Sequence, residues 1–211
     1  MGTEFNLVIS VQYSIAHLRA NHHPYCVLQS TSRHNHRAER IWPEVNSRIN
    51  YPIKRILIQL ENDNRINMSD EVHKFCVSWV TLKVIAMPVQ RFVNSWNDHT
   101  IPGNRGGIPN NLAASFYQVG QISLANIPTT DSAIQHYQYF GGHLTHQTPL
   151  FGNDPLVDYP HLQELRERDF MQLYSCLDDI FQDVQHGHGV LLKEAILFFI
   201  DLNHRFLRLI H

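Results

Sequence analysis

Cysteine is scarce in these 211 residues. There are three, Cys26, Cys76 and Cys176, far apart and with no CxxC pair. A dispersed, odd set excludes a disulfide framework and favours a reducing compartment. Net charge is scarce too. Seventeen Lys and Arg stand against 19 Asp and Glu, a balance of -2. The pI is about 6.7, so no global basic field advertises a polyanionic partner, and any such role rests on a local patch. No N-terminal stretch combines a basic start, an apolar run and a small-residue cleavage site. The longest apolar run near the C-terminus, Ala195 to Ile200, is bounded by Lys193, Glu194 and Asp201 and is far too short to span a bilayer. The expected location is nuclear or cytoplasmic, not secreted, with no membrane partner. No internal repeat is present. Fifteen histidines are plentiful by comparison, but none falls in an HExxH or zinc-finger spacing, and they read as scattered surface and half-buried residues.

Hydrophobic residues make up 43% of the chain, enough for a sizeable core in one medium domain or one domain plus a tail. YCVLQ (25–29) predicts a short strand. LVISV (7–11) is β-rich, but the residues up to Arg19 allow helical spacing, so the first twenty residues read as a helix or as a strand followed by a helix. A helix is expected from about Asn35, where Asn35, Glu39, Trp42 and Asn46 share a face. Pro43 removes the bond to the Glu39 carbonyl and predicts a kink. Ile53 to Glu61 has apolar residues at helical spacing. Ser69 is placed to cap a helix from Asp70 to about Met87, with Pro88 beyond its end, and a separate short helix is expected over Val89 to Asp98. Trp79 and Trp96 read as core of this helical half. IPGNRGGIPNN (101–111) is a loop, followed by a helical turn over Leu112 to Tyr117. Residues 119–160 are rich in proline, glycine and threonine and read as an extended, weakly ordered arm. Residues 161–211 read as a tail of two helices. The last, apolar one is expected either to pack on the core or to drive self-association through 190–211.

Charge divides along the chain. Arg33, Arg37, Arg40, Arg48, Lys54 and Arg55 against Glu39 and Glu44 give segment 33–55 a net of +4. Eight acids against Arg166 and Arg168 give segment 154–183 a net of -6. The basic segment suits a phosphate backbone. The plainer reading is two solvated faces, or two segments that pair with each other.

Ser32 to Trp42 can be written S-x-H-N-x-R-x-E-R-x-W. It resembles the end of the integrase core domain of the retroviral-type integrase and DDE transposase group, which has a ribonuclease H-like fold. Glu39 falls on the third catalytic acid, and Asn35, Arg37, Arg40 and Trp42 match the residues around it. His36, Ala38 and Pro43 depart from the pattern. Two further blocks agree in order: FVNSWNDHTIP (92–102) with GIPN (107–110), and the opening Gly2-Thr3-Glu4, in which Phe5 replaces an asparagine. The likeness covers roughly residues 2–115. It implies that residue 1 falls just after the second catalytic aspartate, and no aspartate lies between Met1 and Glu39. The implied partition is a partial integrase core over 1–118, then the arm, then the tail. The implied fold class is mainly α with a small β remnant, the C-terminal half of a ribonuclease H-like core.

The resemblance implies phosphodiester chemistry with magnesium or manganese, and DNA as a partner through segment 33–55, with Asn35, Arg37 and Arg40 at the backbone. Such sites clamp the attacking and leaving oxygens between two divalent ions and need several carboxylates close together. Glu39 alone cannot hold two ions. It would bind metal only if completed by upstream aspartates, and no cofactor is expected on this chain alone. Three readings stand open: an integrase-like transferase lacking part of its site, a non-catalytic DNA- or protein-binding module derived from a mobile element, and a fragment without function.

Overall fold

The structure is a computed structural model that describes residues 3–14, 16–18, 25, 41–102, 106–115, 128–143 and 151–210. The chain divides into two compact units: residues 1–37 with 110–147, and residues 38–109 with 148–211. Among the described residues there is no strand. The only pairing outside helices is a bridge between Ile101 and Gly107.

The first unit contains α1 (Thr3–Ser14), a 3₁₀ turn (Ala16–Leu18) and α6 (Thr130–Tyr139), and it takes all but the first residue of α5 (Pro109–Ser115). Of the two alternatives for the first twenty residues, 7–11 lie in helix rather than in a strand. Val and Ile disfavour a helix by only tenths of a kcal/mol each, and a continuous backbone ladder outweighs that. The expected strand at 25–29 lies outside the described residues except for Tyr25, which is in no strand. Within the stretch read as an extended arm, α6 forms a ten-residue helix, with Thr129 Oγ1 accepting from the Ser132 N–H at 3.3 Å.

The second unit is a helical bundle. α2 (Ile41–Val45) runs into a π-helical segment (Asn46–Asn50) and then α3 (Tyr51–Asn62); α4 (Glu71–Asp98), α7 (Pro160–Leu173), α8 (Leu177–Gln185) and α9 (Val190–Leu207) follow. α3 buries Ile53, Ile56 and Leu60, as its spacing predicts. α4 is one helix of 28 residues that passes through Pro88, rather than two helices split there. Pro88 withholds a hydrogen bond from the Val84 carbonyl, a defect of about 3 kcal/mol. The apolar series Cys76, Val80, Val84 and Pro88 is nevertheless buried at four-residue intervals, so packing carries the helix across the gap. Its cap is Asp70, not Ser69: the Asp70 carboxylate accepts from the His73 N–H at 2.9 Å. By length and composition α4 could cross a membrane. In this unit it is the central helix, with Lys83 paired to Glu167 on α7 and Arg91 to Asp178 on α8.

The tail does not form two helices. The helix expected over 161–184 breaks at residues 174–176 into α7 and α8. The apolar stripe continues across the break, so periodicity alone could not reveal it. The break lets Ile180, Phe181 and Val184 turn into the core. α8 ends in a Schellman motif at Gly187 (φ 84°), where the Gly187 N–H meets the Val184 carbonyl and the His188 N–H meets that of Asp183. The Asp183 carboxylate then accepts from the Leu191 N–H at 2.9 Å and caps α9, whose own N-cap, Gly189, has no side chain. α9 sets its apolar face, including Leu192, Ile196, Phe199 and Phe206, against α4, α7 and α8. The core takes the face that might have served self-association. Phe199 stacks on Trp79, ring centroids 4.2 Å apart, and Phe170 meets both rings edge-on.

One charge lies inside this core. Arg166 is fully buried. Its Nη1 and Nη2 bond Asp154 at 2.6 and 2.7 Å, and Nη1 also reaches Asn203 Oδ1 at 2.8 Å. Nε has no partner. Its guanidinium lies over the rings of Phe75 and Phe199. Asn203, also fully buried, donates to the Phe199 carbonyl and to Cys76 Sγ. Burial pushes the Cys76 thiol up to about 12. Burial also raises the Asp154 carboxyl, but the Arg166 bonds, the Leu156 N–H and Gln163 outweigh it and hold the carboxyl below its usual range. Asp154 belongs to the strap of residues 151–159, which is anchored by the fully buried Leu156 and by Gly152 against the α4 backbone.

Candidate nucleic-acid interface

Asn35, Arg37, Glu39 and Arg40 lie outside the described residues. The description resumes at Ile41, and the next turns show how the segment is held. Trp42 is 61% exposed, so it stands outside the core. Pro43 sits inside α2, and where a kink was expected the helix loosens into the π segment three residues later, with the Tyr51 N–H reaching the Asn46 carbonyl. A π segment bonds each N–H to the carbonyl five residues back, and such segments inside helices occur frequently at functional sites. Pro52 then offers no N–H to the carbonyl four residues back, that of Arg48. This carbonyl accepts from Gln185 Nε2 on α8 at 2.6 Å. Two prolines thus shape the basic segment, and a side chain from the tail fastens it.

Arg48 Nε bonds the Glu44 carboxylate at 2.9 Å. Both residues line an open cleft of about 510 Å³ together with Phe92, Ser95, Trp96 and His99. A second cleft of about 350 Å³ shares Arg48, Phe92 and Ser95 and continues past Pro88 and Arg91 to Phe181, Gln182 and Gln185. Phe92 and Trp96 stack on each other, centroids 6.0 Å apart. Trp96 is half-buried in the cleft wall rather than in the core. Just beyond, Ile101 and Gly107 exchange both backbone hydrogen bonds at 2.9 and 3.0 Å. That bridge ties the FVNSWNDHTIP block to the GIPN block.

The fold therefore brings Glu44 and Arg48, which follow the Ser32 to Trp42 string, opposite the tryptophan-asparagine-x-histidine block across one cleft. Over residues 2–125 the sequence matches the family described as Integrase core domain. The chain belongs to the integrase core domain family. No curated protein matches it, and no solved structure does.

Integrase core proteins generally bind DNA and depend on divalent metal, and they act in DNA integration. Among the described residues, no group of three or more His, Cys, Asp or Glu could hold a metal ion. The one carboxylate in the cleft, Glu44, is engaged by Arg48. These residues do not fit a two-ion site, and no step through a metal is derived from them.

Among the described residues no ion pair joins the two charged segments, so of the two plainer alternatives only the solvated faces remain. Arg48 pairs within its own segment, to Glu44. Of the acids in 154–183, Asp154 holds Arg166, Glu167 meets Lys83 and Asp178 meets Arg91. Gln182 and Gln185 escaped notice in the sequence because no motif marks them; only packing of α8 beside the π segment places them at the cleft.

Proposed function

We propose that this chain serves DNA integration on a ribonuclease H-like core, with Glu39 as the third acid of an integrase-type active site and Asn35, Arg37 and Arg40 facing the DNA backbone. Acting alone it binds DNA through segment 33–55 and does not cut it. Two aspartates from outside the present sequence would complete the metal site for magnesium or manganese. The expected compartment is nuclear or cytoplasmic. The observation that carries this reading is the family match over residues 2–125, with Glu39 inside the S-x-H-N-x-R-x-E-R-x-W string. A second reading, a purely DNA-binding module derived from a mobile element, draws on the basic segment 33–55 with its net charge of +4.

The test is binding of the full chain to a labelled duplex across a salt series, with and without chelator. The expected affinity falls with salt and is indifferent to magnesium. Arg37→Ala and Arg40→Ala should each lower the slope of log K against log salt by about 0.9, one phosphate contact apiece. No binding at low salt refutes the reading. Magnesium-dependent strand transfer by the chain alone refutes its catalytic silence. If supplying the two aspartates in a longer chain restores transfer, and Glu39→Gln abolishes it, the active-site reading prevails over the binding module.

A further inference from the structure

We propose that the cleft between Glu44 and Arg48 on one side and Phe92 to His99 on the other receives a single unpaired nucleotide of a DNA strand. Its base would lie against Trp96 and its phosphate against Arg48. The identity of the polymer rests on the integrase reading; the choice of one unpaired nucleotide rests on the cleft itself.

Size comes first. Neighbouring clefts of about 510 and 350 Å³ suit a small ligand or one or two residues of a polymer. A duplex does not enter such a space, since its major groove alone is about 12 Å across. A base must leave the stack to be read in a pocket, and pockets that take one combine aromatic walls with polar edges.

The lining has that composition. Trp96 and Phe92 present aromatic surface, which every base can stack on. Ser95, which lines both clefts, supplies a hydroxyl for a base edge. Gln182 and the Gln185 amide oxygen stand in the adjoining cleft, the Gln185 nitrogen being spent on the Arg48 carbonyl. Arg48 spends Nε on Glu44, which leaves its Nη groups, the pair suited to a phosphate, for another acceptor. Arg91 donates through Nη1 to Asp178 at 2.7 Å. It stands in the wall of the second cleft, beside the position of a following phosphate. The Arg48 backbone is held from behind by Gln185 on its carbonyl, while its side chain is 68% exposed and is tied to Glu44 through Nε.

The experiment uses the full chain and two duplexes of equal length, one blunt and one with two unpaired terminal nucleotides, the outer being 2-aminopurine. We expect the frayed duplex to bind roughly tenfold tighter and its 2-aminopurine emission to be quenched on binding. In Trp96→Ala the ratio of the two affinities should fall to about one and the quenching should disappear. Trp96→Phe should keep most of both. Arg48→Gln, checked by circular dichroism for retained helix, should lower the ratio without abolishing quenching. Equal binding of the two duplexes by the native chain, with 2-aminopurine unquenched, overturns the proposal and leaves the DNA-binding function standing. So does quenching that survives Trp96→Ala. Absence of any DNA binding at low salt brings down both.

Discussion

Removing the Asp154 carboxylate charge should destabilise the helical unit more than almost any other conservative change. Asp154→Asn keeps the shape of the side chain and removes its charge. Arg166 is fully buried, and Asp154 is the only carboxylate bonded to it, through both Nη groups. Arginine does not deprotonate in proteins, so the variant leaves a desolvated cation with neutral partners only. Breaking a buried pair from one side costs about 3–5 kcal/mol. Asparagine still offers one acceptor oxygen, which places the expected loss near the lower figure. For a unit of this size that is a fall in melting temperature of roughly 6–12 °C. The assay is urea and thermal unfolding of the full chain, followed by far-UV circular dichroism. The double variant Asp154→Leu with Arg166→Met removes both charges and should recover most of the loss, because a well-packed apolar pair often equals a buried ion pair. A loss under about 1 kcal/mol for Asp154→Asn would refute the reasoning, since it would mean that the Arg166 charge is hydrated or swings out. The pair also sets an acid limit. The carboxyl is held below its usual range in the folded chain, so its contribution is complete above its unfolded value, near 3.8. It is lost as pH falls through the lower folded value. Stability should therefore be flat near neutrality and drop below about pH 4, and in Asp154→Asn this portion of the drop should be missing.

Other consequences can be checked on the same protein. Gly152→Ala forces a Cβ into the α4 backbone, 2.7 Å from the Phe75 nitrogen, at φ 75°, and should cost at least about 2 kcal/mol in urea unfolding. Cys176 is exposed and Cys76 is buried with its thiol pushed up to about 12; mass spectrometry after iodoacetamide at pH 8 should find Cys176 labelled and Cys76 protected until denaturant is added. Phe199→Ala opens a cavity beneath Trp79 and Arg166 and should cost about 3–5 kcal/mol, with a shift in tryptophan emission. Asp70→Ala removes the cap of α4 and should cost about 1 kcal/mol.

Much of this was legible in the residues. The spacing of Ile53, Ile56 and Leu60 foretold α3 and its buried face, and the apolar run of α9 foretold a helix. Local rules failed where a distant contact overrode them. Pro88 should end a helix by its own chemistry, yet the buried series Cys76, Val80, Val84 and Pro88, with Val89 and Phe92 packed against the core beyond it, keeps α4 intact. LVISV has the composition of a strand, yet it lies in α1. The break at residues 174–176 leaves no mark on a stripe that stays in phase across it.

Alone, the sequence determined family membership, because the order of the S-x-H-N-x-R-x-E-R-x-W, FVNSWNDHTIP and GIPN blocks is a property of the chain and needs no coordinates. It also determined which segments can be helical, because a 3.6-residue period is local. Tertiary structure decided that Asp154 neutralises Arg166 rather than facing solvent, and that Arg48 shares one cleft with Trp96 and the adjoining one with Gln185. Those pairings join side chains from separate helices, and only the packing of α4, α7, α8 and α9 around a common core brings them within hydrogen-bond or ring-contact distance.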